Sequence, residues 1–205
     1  MKMICGWCCA LWVAASCGPS LGADAPAGMY QIQFVVVQRP WSADVKDVAT
    51  RVLSPEEAAK ESEPTADDFN VLSCPTIATV DGAEAYFRVG NEVQYVVGYA
   101  DGVPQKEQEH QGLTLCVVPH AVDERHVRME FNYQTARVVG MRKVEVAGAR
   151  GDQPGIIETP LVQRTLLDVD VDAEVEKFVL LEGIADRDGG GNLCETRVLM
   201  RVERK

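Results

Sequence analysis

VLSCPTIATVDGAEAYFRVGNEVQYVVGY, residues 71–99, is the stretch whose reading decides the fold. It reads as two β-strands hinged at Asp81-Gly82, a dipeptide suited to the backbone of a tight turn. Beyond that turn Ala85, Phe87 and Val89 share one face, opposite Glu84, Tyr86 and Arg88, the period of two that a half-buried strand requires. Pro75 removes a ladder donor early in its strand, which is tolerable at an edge or bulge and awkward in a central strand. Gly90 and Gly98 bracket NEVQYVV, so the segment can bend away from the sheet. It holds no obvious catalytic group.

The same alternation recurs on both sides of this stretch. Tyr30, Ile32, Phe34 and Val36 share one face of a first strand, and Leu113, Leu115 and Val117 repeat the pattern. The clearest case sets Val127, Met129, Phe131 and Tyr133 against Arg128, Glu130, Asn132 and Gln134. Further strands are expected near 161–172, 176–184 and 193–203, which makes the body mainly antiparallel β with one or two short helices. The persuasive helix begins at Ser54-Pro55-Glu56-Glu57. There serine caps, proline suits the first helical position, and Glu57 stands where a capping box needs it. The helix is expected to run to Lys60 or Glu61, followed by an acidic connector, ESEPTADDF, broken by Pro64. YADGVPQKEQEHQG (99–112) and AGARGDQPG (147–155) read as flexible stretches, and Asp186–Asn192 as the last turn.

The first residues read as an export signal. Lys2 precedes an apolar run from Met3 to Ala15 and then small residues around Ser20, Gly22 and Ala23, too short a run to span a bilayer. Residues 1–23 are therefore expected to be a signal peptide and 24–205 a single β-domain. Val13-Ala14-Ala15-Ser16-Cys17 offers a second anchor, a lipid on Cys17, with Ala14 where such sites usually carry leucine. Cleavage after Ala23 removes four of the seven cysteines and leaves Cys74, Cys116 and Cys194. An odd number allows at most one internal disulfide, with Cys74–Cys116 the candidate if their strands are neighbours. The chain carries 20 Lys+Arg against 31 Asp+Glu, a net of −11, and loses one more positive charge with Lys2. Such a field repels nucleic acid and anionic headgroups.

Enzymatic constellations are weak. His110, His120 and His126 are the only histidines; no Ser or Cys stands in a nucleophile elbow and no H-E-x-x-H occurs. His120 and His126 flank Asp123-Glu124 and read as exposed turn residues rather than a metal pocket. Asp168, Asp170 and Asp172 alternate with Val169 and Val171, but Ala173 stands where a calcium loop needs glycine, so they read as a solvated strand face. The glycines at 189–191 lack the Lys and Ser/Thr of a phosphate loop, and Arg150-Gly151-Asp152 reads as turn chemistry. No catalytic group, metal or cofactor is expected.

Taken in order, the segments resemble the C-terminal domain of the secretins, which form outer-membrane gates in type II and type III secretion and type IV pilus systems. YQIQFVVVQRP stands where secretin domains open. VLSCPTIATVDGAEAYFRVGNEVQYVVG is similar to the family's run of a Ser- and Pro-containing strand, a turn, an Ala-containing strand, Val-Gly and the gate strand. GLTLCVVPHAVDERHVRMEF is similar to its Gly-to-Pro strand, acidic turn and return strand, and QRTLLDVDVDAEVEKFVLLEGI to the closing hairpin. The resemblance implies structural or gate roles for Pro75, Gly82, Gly90, Val93, Gly98, Gly112, Pro119 and Gly183, with Val93 and Gly98 at the gate. Gln94 and Val97 depart from the proline and the Thr or Ser usual in that strand.

The resemblance further implies a non-enzymatic, exported subunit in the periplasm or outer membrane. Its expected partners are secretion or pilus proteins and identical subunits, with the membrane reached through an oligomeric β-barrel or a lipid anchor. The alternative is a stand-alone periplasmic interaction module that keeps the fold without the pore.

Overall fold

The computed structural model describes residues 28–42, 48–62, 70–150, 153–188 and 190–205. The expected signal peptide with its cysteines, residues 63–69 of the acidic connector, Gly151-Asp152 and Gly189 lie outside the described residues. In chain order the elements are β1 (Met29–Pro40), β2 (Ala49–Leu53), α1 (Pro55–Ser62), β3 (Asn70–Ser73), β4 (Thr76–Val80) and β5 (Ala85–Ala100). There follow β6 (Val103–Ala121), β7 (His126–Arg150), β8 (Gln153–Glu174), β9 (Phe178–Arg187) and β10 (Leu193–Arg204). The chain forms a mainly antiparallel β fold of two sheets, one ordered β2-β9-β10-β1-β3 with β4 also on β1, the other β5-β6-β7-β8. It clusters into two compact units. The first comprises the described residues up to Glu84 with Val118–Met129 and Val171–Lys205; the second comprises Ala85–Val117 and Glu130–Asp170.

In the first unit β1 is an interior strand, between β10 and the edge formed by β3 and β4. It pairs β10 along its length, from Tyr30↔Arg204 to Pro40↔Cys194. Tyr30, Ile32, Phe34 and Val36 are all buried, as their alternation predicts. Val35 and Val37 on the other face are buried as well, in one cluster with Leu53, Ala58, Phe178, Leu180 and Leu199. Ala58 is the buried residue of α1, so this short helix supplies the cover for the second face. Burying each large aliphatic or aromatic side chain stabilises by about 1.5–3 kcal/mol.

The sequence marks the start of α1 correctly. Ser54 N–H donates to Glu57 Oε2 at 2.8 Å and Glu57 N–H to Ser54 Oγ at 3.3 Å, the reciprocal pair of a capping box. The helix continues to Ser62, one residue past the expected end. The hydrogen bonds from the Ser54 backbone and hydroxyl hold the Glu57 carboxyl below its usual range. Because the folded value is depressed, the contribution is present at neutral pH and is lost as acid protonates Glu57. Ser54→Ala is expected to cost about 1 kcal/mol, and Ser54→Asp to restore most of it; denaturant melts of the three proteins check both.

Two expectations are corrected in the second sheet. Residues 99–112 are not a flexible stretch: β5 turns at Asp101-Gly102, with φ of 50° and 78°, and β6 starts at Val103. A two-residue turn with both φ positive matches the right-handed twist of a hairpin. The polar composition of PQKEQEH misled because an exposed two-stranded ribbon keeps its ladder without an apolar face. Residues 147–155 likewise lie mostly in strands, since β7 continues to Arg150 and β8 begins at Gln153. The opening stretch holds the two strands expected on either side of Asp81-Gly82, β4 and β5. β4 pairs β1 whereas β5 pairs β6, so the Asp81-Gly82 turn passes the chain from one sheet to the other.

Candidate functional site

Four of the eight residues singled out by motif lie in the first unit and fix its irregular points. Pro75 sits between β3 and β4, both of which pair β1. Its carbonyl accepts from Phe34 N–H at 2.9 Å, so the missing proline donor falls at a break in an edge, as expected. Gly82 has φ +69°, and its N–H donates to the Pro119 carbonyl at 2.7 Å. Asp81 Oδ1 accepts from Ala121 N–H at 2.6 Å. The turn is thus fastened to the end of β6, and Gly82 and Pro119 come together. Gly183 has φ +86° and lies where two residues of β9 oppose Arg197 of β10 at a register shift. Its N–H donates to Glu195 Oε1 at 3.0 Å.

The bulge at Gly183 borders an ionic cluster that motif reading missed. Glu61, in the last turn of α1, meets Arg39 at 3.1 Å, Arg51 at 3.4 Å and Arg197 at 2.8 Å. Glu182 meets Arg51 at 2.8 Å, and Glu195 meets Arg197 at 3.0 Å. Burial pushes the Arg197 guanidinium down, but the bonded Glu195 and the carboxylates of Glu61 and Glu182 outweigh it and leave it above the ordinary arginine value. These six side chains balance in sign and tie the end of α1 to strands β1, β2, β9 and β10. No local spacing announces them, because they come from five separate elements of the chain.

The other four motif residues lie in the β5–β6 hairpin of the second unit. Gly90 and Gly112 stand directly opposite in the ladder, with φ of +152° and +155°. A Cβ on Gly90 would run into the Gln111 carbonyl and stand 2.7 Å from Gly112 Cα; one on Gly112 would meet the Val89 carbonyl and stand 2.6 Å from Gly90 Cα. Only two glycines permit this approach. Val93 opposes Glu109, and Gly98 opposes Gln105 beside a register shift at Val96/Gly98. The expected bend at Gly98 is therefore a bulge in a continuous β5, and a Cβ there would meet nothing within 4 Å.

Remaining sequence candidates take ordinary places. His126 Nδ1 lies 2.9 Å from Asp123 Oδ2, and that carboxylate also accepts from Arg125 and His126 N–H, organising the β6–β7 turn. Asp168, Asp170 and Asp172 are exposed on β8, with Asp172 3.1 Å from Arg128. Among the described residues no group of three or more His, Cys, Asp or Glu could hold a metal ion. Cys74, Cys116 and Cys194 are thiols, so Cys74 and Cys116 are not paired as a disulfide. Burial, with Asp186 and Asp188 nearby, pushes the Cys194 thiol up to about 11. Among the described residues no helix is long and apolar enough to cross a membrane.

The secretin family model, described as bacterial type II and III secretion system protein, matches residues 64–193. The chain belongs to the secretin family. It is 31% identical over 83 residues to Secretin GspD 2 of Escherichia coli O78:H11 (strain H10407 / ETEC), a match covering 38% of this chain and 12% of that relative. Among solved structures, the Salmonella SPI-1 type III secretion injectisome secretin InvG is 11% identical with a TM-score of 0.47, covering 89% of this chain and 66% of that one. The V. cholerae type IV competence pilus secretin PilQ is 11% identical with a TM-score of 0.45, covering 87% and 61%.

Proposed function

We propose that this chain is a component of a bacterial outer-membrane secretion or pilus channel, acting without catalysis by homo-oligomeric β-assembly and gating. Its membership of the secretin family over residues 64–193 carries the reading. The physical form agrees with it. The β5-β6-β7-β8 sheet has four strands and two edges. Four strands are too few to close a wide barrel, and an unpaired edge is a template for another strand, so identical subunits would share one wall. The β5–β6 hairpin would carry the gate at Val93 and Gly98, with Gly90 and Gly112 as its bend. Pro75, Gly82, Pro119 and Gly183 would have structural roles within the first unit. Secretion or pilus proteins would be its other partners, and the exported, mature chain would begin near Asp24.

The test is a blot of the native membrane fraction without boiling. Heat-sensitive, high-mass species in the outer membrane are expected. A soluble monomer in the periplasm would instead identify a stand-alone interaction module.

A further inference from the structure

Helix α1 is held over the first sheet by little apolar contact. Of its eight residues Ala58 is the buried one, and a single methyl group joins it to the cluster of Val35, Val37, Leu53, Phe178, Leu180 and Leu199. A helix of this length does not hold its own shape in water, where about 12–15 residues are needed. The capping box organises its first turn. Charge fastens its last.

Glu61 is the member of the ionic cluster that α1 supplies. Three guanidinium groups of the sheet converge on it, from Arg39 of β1 at 3.1 Å, Arg51 of β2 at 3.4 Å and Arg197 of β10 at 2.8 Å. The strands also pair without the helix, Arg51 with Glu182 at 2.8 Å and Arg197 with Glu195 at 3.0 Å. Arg39 is bound more closely to Glu61. Burial and the neighbouring Arg197 push the Arg39 guanidinium below the ordinary arginine value, and Glu61 leads the carboxylates that oppose them. Without the Glu61 charge three guanidinium groups face two carboxylates, while the strands keep pairs of their own.

We infer that α1 is a charge-pinned lid, hinged after Leu53 and closed by Glu61 on Arg39, Arg51 and Arg197, which opens locally while the sheet beneath it stays folded. Its opening separates one methyl group and a set of half-buried ions, whereas β1 is laddered on both sides, so the helix stands at the low-stability end of the unit. Closed, the lid hides the apolar face of Val35, Val37, Leu180 and Leu199; open, it presents that face. Ions only partly withdrawn from water are weakened by salt, so ionic strength sets how often the lid opens. The lid is a property of one chain and goes beyond the channel reading.

Amide hydrogen exchange on the full chain tests it, at about 0.05 M and about 1 M sodium chloride and with Glu61→Gln. In the unaltered chain, amides of 58–62 are expected to exchange about tenfold or more faster than those of 34–37. High salt should quicken 58–62 about threefold and Glu61→Gln about tenfold, with 34–37 unchanged in both. Glu56→Gln, at an exposed first-turn carboxylate, should alter exchange less than about twofold. Matched protection of 58–62 and 34–37 in the unaltered chain would overturn the inference. So would a loss of protection at 34–37 in high salt or in Glu61→Gln, including a variant that does not fold, because the cluster would then hold the whole sheet. Exchange at 58–62 indifferent to both salt and Glu61→Gln would overturn it as well. None of these outcomes depends on a pore, so failure here leaves the channel reading to its own test.

Discussion

Gly112→Val is expected to lower the melting temperature by about 10 °C. The new Cβ meets the Val89 carbonyl and the Gly90 backbone, atoms that cannot turn aside as the end of a flexible side chain can. Its φ of +155° adds a conformation that a β-branched residue adopts only under strain. Relieving both means separating β5 from β6 at the point where the ladder crosses most closely. Overpacking against backbone with this strain costs about 3 kcal/mol, and about 2–4 °C is lost per kcal/mol in a chain of this size. Gly90→Ala should behave alike, because the two glycines share one contact. Gly98→Ala should move the melt by no more than about 2 °C, since nothing stands within 4 Å of its Cβ. Thermal melts of the three variants decide the matter. A tolerated Gly112→Val, or a Gly98→Ala as damaging as it, would show that the close approach is not what the glycines provide.

The contrast between these glycines marks what the sequence can and cannot convey. Alternation made β1, β7 and the base of β6 legible, because a strand with one buried face must repeat with a period of two. The Ser54 to Glu57 box was legible because capping is local. Residues 99–112 of the hairpin read as a flexible stretch, since an exposed ribbon has no apolar face to betray its period. Its Asp101-Gly102 turn was the signal available, and the surrounding charges obscured it. Gly90 and Gly112 were identified by motif, but their direct opposition is a fact of register, which no single stretch contains. The pairs of Glu61 with Arg39 and Arg197 are tertiary in origin. Residues that are far apart in the chain supply each pair, so composition and spacing are silent about them.

Phe131→Asp is expected to prevent folding altogether. Phe131 is 1% exposed, between Met129 and Tyr133 at 0% on the same face of β7. Removing the ring alone forfeits about 3–5 kcal/mol of transfer and packing energy. The carboxylate then has to be buried unpaired or neutralised by taking up a proton, and either adds several kcal/mol. The sum reaches the about 5–15 kcal/mol that a native domain has in total, so the variant should fail to accumulate as folded protein. Glu130→Lys, one position away, points from the exposed face and reverses a charge in a chain of net −11. It should change stability by no more than about 0.5 kcal/mol. Yield of soluble, protease-resistant chain, followed by a denaturant melt of whatever folds, separates the two. The buried face of β7 carries the expectation, so equal damage from both substitutions would mean that the strand's period of two does not govern its packing.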